Sequence, residues 1–141
     1  MKNLKISAEQ GLKIKKKSVI ELVSSLKNEF GFSLKSLEFV FVTESTIHKI
    51  NKEYLKHNYP TDIITFAYSG TGEPIEAEIY ICSEVAEINA GKYKVPVNQE
   101  IFRLIIHGIL HIMGFDDKTA YKKKKMKRKE NELLVKFSPN S

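Results

Sequence analysis

The sequence predicts an α+β domain, a small mixed sheet of about four strands packed with about five helices. Short runs rich in β-branched and aromatic residues (Leu37–Thr43, Ile63–Ala67, Glu76–Cys82) are separated by stretches of helical period. Two of these runs flank the one clear flexible connection, SGTGEP (Ser69–Pro74), and read as a hairpin-like pair. After the last strand come three helical stretches in succession, so the order is β-α-β-α-β-β-α-α-α. At 141 residues and 42% hydrophobic, the chain suits one domain over 1–141 with a basic segment at 118–141.

Taken in order, Lys2–Ser7 alternates apolar with polar residues and suits a short strand. From Ser18, Val19, Ile20, Leu22, Val23, Leu26 and Phe30 form a helical stripe that Gly31 stops. The strand Leu37–Thr43 follows. Thr43 or Ser45 is placed to cap a helix over Thr46–Lys56, with Ile47, Ile50 and Tyr54 inward. Pro60 breaks that helix, Asn58 and Asp62 supply turn chemistry, and a strand runs over Ile63–Ala67. After the strand Glu76–Cys82, Ser83 suits the cap of a helix over Glu84–Lys92. Cys82, the one cysteine, sits among apolar neighbours and reads as a buried thiol in a reducing compartment.

Pro96 and Asn98 precede a helix from Ile101 to Met113 that is apolar nearly all round, hence central to the core. Its polar strip is Arg103, His107 and His111, which must open onto a cleft or be paired inside. A basic helix over Lys118–Phe137, anchored by Met126, Leu133 and Leu134, precedes SPNS, which is expected to fray.

The net charge of +6 is local. Lys118–Glu130 holds eight basic residues and one acidic, leaving 15 basic against 16 acidic elsewhere. Such a block is a solvated face or an electrostatic footprint for phosphate backbone, and nucleic acid is the first partner to consider. Nothing in MKNLKISAEQ resembles a signal sequence and no window approaches a membrane span, so the expected location is cytoplasmic, with no membrane partner. There is no Gly-rich phosphate loop, hence no dinucleotide cofactor.

The chemistry concentrates in IFRLIIHGILHIMGFDD (Ile101–Asp117). Residues four apart share a helix face, so His107 and His111 aim at one point. Gly114 frees the chain to turn, and Asp117 is then placed to return as a third ligand, with a fourth position left for water as in hydrolytic zinc. Other divalent metals suit the same donors. Peptidases of the H-E-x-x-H type carry a glutamate after the first histidine; here Gly108 stands there, which argues against peptide hydrolysis.

Together, INKEYLKHNYPTDIITF (Ile50–Phe66) and HGILHIMGFDD (His107–Asp117) resemble the rRNA maturation factor YbeY family of metal-dependent endoribonucleases. The resemblance covers nearly the whole chain. It implies a fold like that of metalloprotease catalytic domains and a single-strand-specific, zinc-dependent activity in 16S rRNA 3′-end maturation and ribosome quality control. It also implies binding to rRNA, the small ribosomal subunit and its assembly factors. Two positions depart from the family pattern: Asp117 stands where the family usually has a third histidine, and Leu55 where it commonly has arginine. Asp116 matches the family aspartate, with an expected role orienting a ligand or water. The expected metal ligands are therefore His107, His111 and Asp117, with His107, His111 and Asp116 as catalytic residues. Arg103, Lys56 and His57 are the candidate phosphate contacts, each with a plainer alternative as an ion-paired or solvated residue. The rival functions are a ribosome-assembly binding protein with a structural metal and a metal-dependent peptidase-like hydrolase.

Overall fold

The computed structural model describes residues 1–137 and contains four strands and five helices among them. The strands are β1 (Leu4–Ala8), β2 (Leu34–Val42), β3 (Ile63–Ala67) and β4 (Ile75–Cys82), in the spatial order β1-β2-β4-β3. β1, β2 and β4 are parallel and β3 runs antiparallel to β4, which makes the sheet mixed and β3–β4 a hairpin.

Register decides what each face carries. Leu37, Phe39 and Phe41 pair with Ala77, Ile79 and Ile81, and all six belong to the main core. Onto this face pack α1 (Lys16–Phe30), α4 (Val97–Ile112) and α5 (Ala120–Phe137). On the opposite face Val42, Ile64 and Cys82 form a smaller core with Ile47 of α2 (Glu44–Leu55), and Val85 of α3 (Ser83–Tyr93) packs against it. The Cys82 thiol is fully buried, and burial pushes its pKa up.

Helix ends follow local chemistry. Gly31 closes α1 in the left-handed region (φ 72°), its N–H on the Lys27 carbonyl. Thr43 caps α2 by accepting from the Thr46 N–H. Ser83 is the first residue of α3 rather than its cap, because Cys82 at the strand end holds the extended cap conformation. β2 begins at Leu34, three residues before the expected start, because it also pairs with the first residue of β4. Tyr54, expected inward, is 66% exposed, its ring edge meeting Phe66 on the open part of the sheet. The SPNS segment lies outside the described residues. No described helix is long and apolar enough to cross a membrane.

Helix α4 positions everything that follows. Nine of its residues, from Glu100 to Ile112, are buried. It lies close against the hairpin because position 108 is glycine: a β-carbon there would stand 3.1 Å from Cδ1 of Ile79. The residue after the first histidine thus faces the sheet, where a glutamate would meet Ile63 and Ile79.

Candidate active site

A cavity of about 590 Å³ opens between α3, α4, α5 and the start of β3, with Asp62, Arg103, His107, Asp117, Lys123 and Glu130 among its walls. Asp62 reaches it because the buried Asn51 holds the preceding loop, donating from Nδ2 to the Tyr59 carbonyl at 2.9 Å. Asp62 in turn accepts from Asn89 Nδ2 at 3.3 Å, and its carbonyl accepts from the Cys82 N–H. Burial raises the Asp62 pKa, partly opposed by its own backbone hydrogen bond and by His107.

His107 is the centre of the site. Its Nδ1 lies 2.7 Å from Oε2 of Glu130, a carboxylate on α5 that is only 6% exposed. That hydrogen bond raises the imidazole pKa above the ordinary histidine value against the opposing effect of burial, and Glu130, Asp117 and Asp62 add charge in the same direction. Arg103, one turn earlier, is partly buried in the cavity wall and is held by internal partners. Its guanidinium lies 3.5 Å from both Glu130 Oε1 and Glu100 Oε1 and donates to Asn131 Oδ1 at 3.0 Å. Glu100 is 3% exposed, and burial raises its pKa against the pull of Arg103. The Glu100 Oε1 contact has ion-pair distance without hydrogen-bond geometry, so that oxygen has no hydrogen-bond partner among the described residues.

Beyond α4 the chain reverses as the glycine spacing implies. Gly114 has φ 107°, its N–H donates to the His111 carbonyl, and the Phe115 N–H reaches back to Leu110. This is the hydrogen-bond pattern of a Schellman ending with glycine after the cap. The reversal brings Asp117 onto the cavity that His107 lines. His111 is exposed and is not part of that wall. Among the described residues, no three His, Cys, Asp or Glu side chains converge closely enough to hold a metal ion. The donor types suit zinc: two imidazoles, a carboxylate, and a hydrogen bond at His107 Nδ1 that leaves Nε2 to coordinate.

The remaining expected site residues lie elsewhere. Asp116 accepts from the Lys118 N–H at 3.0 Å and from Lys122 Nζ at 3.3 Å, steadying the entry to α5, and lines a separate recess with Phe115 and Lys125. Those partners hold its carboxyl below the usual range. Lys56 closes α2 in the left-handed region, and His57 stacks on Tyr59, its Nδ1 2.7 Å from the Tyr59 hydroxyl. Both are exposed and outside the cavity. The cavity rim instead takes its cations from α5, Lys123 and Lys127.

Fold and site together define a class: a small α+β domain in which a buried helix presents histidine to a cavity walled by a cation-rich terminal helix. The sequence profile of the family described as Endoribonuclease YbeY matches residues 2–138. A relative of that name from Chlorobium phaeobacteroides is 41% identical over 117 residues, covering 83% of this chain and 82% of its own. Another, from Amoebophilus asiaticus, is 35% identical and covers 84% of this chain and 81% of its own. A Thermotoga maritima protein solved in solution superposes with a TM-score of 0.63 at 26% identity, covering 94% of this chain and 90% of that one. The chain belongs to the YbeY family.

Proposed function

We propose that this protein is a single-strand-specific, zinc-dependent endoribonuclease that hydrolyses RNA phosphodiester bonds in 16S rRNA 3′-end maturation and ribosome quality control. The observation that carries this reading is that His107 and Asp117 share one cavity with Lys123 and Lys127, in a chain matched to the family from residue 2 to 138. An imidazole and a carboxylate thus stand beside cations suited to an RNA backbone.

His107, His111 and Asp117 would hold the zinc ion, which supplies Lewis acidity toward a phosphoryl oxygen. Bringing them together requires the exposed His111 to turn toward the other two. Lys123 and Lys127 bind phosphates at the rim, and the segment 118–141 extends that contact along the strand. Arg103 keeps the cavity wall in place through its partners on α4 and α5. Asp116 fixes the turn that delivers Asp117. In the reaction, water oxygen bonds to phosphorus, the phosphorus–ribose oxygen bond breaks, and the leaving oxygen takes a proton. The whole chain, 1–141, works as one domain in the cytoplasm, with rRNA, the small ribosomal subunit and its assembly factors as partners.

The test is cleavage of single-stranded against duplex RNA by purified protein with and without chelator. Chelator-sensitive cutting of the single strand, lost together with metal binding in His111→Ala, supports the reading. Chelator-sensitive cleavage retained by His111→Ala contradicts it. The exposed position of His111 favours a second reading, a ribosome-assembly protein with slight nuclease activity. In that case removing Lys122–Lys125 weakens ribosome association, wild-type protein cuts RNA only slightly, and changing the metal ligands lowers stability more than RNA turnover.

A further inference from the structure

Helix α5 buries four residues, Met126, Glu130, Leu133 and Leu134, which share one face at helical spacing. Three are apolar and one is a carboxylate. Burying a carboxylate in such a stripe costs free energy unless its partners compensate, and a leucine would fill the same place without that cost. Glu130 has partners at both oxygens: Oε1 faces Arg103 at 3.5 Å, and Oε2 faces His107 Nδ1 at 2.7 Å. A carboxylate oxygen can only accept from the ring, so in the neutral imidazole Nδ1 carries the proton and Nε2 keeps its lone pair.

We propose that Glu130 is the positioning residue of the site, fixing His107 in the Nδ1-protonated tautomer and holding the ring so that Nε2 is the atom offered to a metal ion. Arg103 supports it from the other side, closing an Arg103–Glu130–His107 chain across the contact of α4 with α5. The carboxylate sits one turn from Lys127 on the same helix, so the element that carries the rim cations also sets the histidine's orientation. This inference deepens the proposed function and rests on that reading only for its use in RNA cleavage. The tautomer itself is independent of it.

The experiment uses full-length, metal-stripped protein labelled with ¹⁵N in histidine, at a pH where His107 is neutral. Wild type, Glu130→Leu and Glu130→Gln are compared, with melting curves run on each. The expected wild-type ring signals are those of Nδ1–H. In Glu130→Leu, which keeps the apolar stripe filled, the ring reverts to the Nε2–H form that free imidazole side chains favour. Zinc affinity, titrated on the same samples, falls about 10- to 100-fold. A folded Glu130→Leu protein with unchanged ring signals and unchanged zinc affinity overturns the proposal, as does an Nε2–H signal in wild type. Should Glu130→Leu fail to melt cooperatively, Glu130→Gln decides: a changed tautomer balance or weaker zinc binding supports the role, and neither change overturns it. Wild-type protein that shows the fixed tautomer but cuts no RNA refutes the nuclease reading and leaves the positioning role standing.

Discussion

Gly108 and Ile79 are in near contact: a β-carbon on the glycine would stand 3.1 Å from the isoleucine Cδ1, with Ile63 Cδ1 at 3.4 Å and Thr65 Oγ1 at 3.5 Å. The helix that carries both histidines therefore lies as close to the β3–β4 hairpin as a side-chain-free residue allows. Gly108→Glu, which restores the H-E-x-x-H pattern of peptidases, is expected to cost about 3 kcal/mol or more, combining overpacking with a buried carboxylate. It should confer no peptidase activity. Urea denaturation measures the loss; a variant as stable as wild type would show that the helix can lift off the sheet cheaply.

The His107–Glu130 pair sets a pH dependence in the metal-stripped protein. The folded-state pKa of His107 is raised, so the protonated ring stabilises the fold. That contribution is complete below the ordinary histidine value of about 6.5 and is lost as pH rises through the higher folded-state value. The melting temperature of wild type should therefore decline across that window relative to His107→Gln. A wild-type melting temperature that rises relative to the variant over the same range would reverse the assigned sign.

Lys123 and Lys127 line the cavity on successive turns of α5. If they neutralise RNA phosphates, replacing both with glutamine reduces the salt dependence of single-strand binding by about 1.4 in the slope of log K against log salt, from about 0.7 per phosphate. Fluorescence anisotropy across a salt series reads this directly. An unchanged slope would place the RNA path on another face. The exposed Lys56 and His57, near one end of α2 and outside the cavity, are expected to change the slope less than the α5 pair.

Much of this architecture was legible because it is local. The stripe of Val19, Leu22, Val23 and Leu26 announces α1, Gly31 ends it, and Ile63–Ala67 is a strand with the expected limits. The apolar circumference of α4 gives its central place. The histidine spacing and Gly114 gave the turn that brings Asp117 to the His107 cavity. What escaped depends on contacts distant in sequence. Asp62 reads as turn chemistry until β3 is seen against α4, where it becomes a cavity wall. Tyr54 fits the apolar period of α2, yet it is 66% exposed and meets the sheet at Phe66 in an edge contact. Arg103 looks equally suited to a phosphate or an internal partner, and only the packing of α5 on α4 supplies Glu130 and Asn131. Glu130 did leave a signal: it is the one acid in the basic block and falls in register with Met126, Leu133 and Leu134.

The proposed metal site joins His107, His111 and Asp117. It is tested most directly by the metal content of wild type and Asp117→Ala, read by native mass spectrometry and elemental analysis. The account expects one zinc per wild-type chain, lost or held far more weakly in the variant. No bound metal in wild type, or binding indifferent to Asp117, would contradict it.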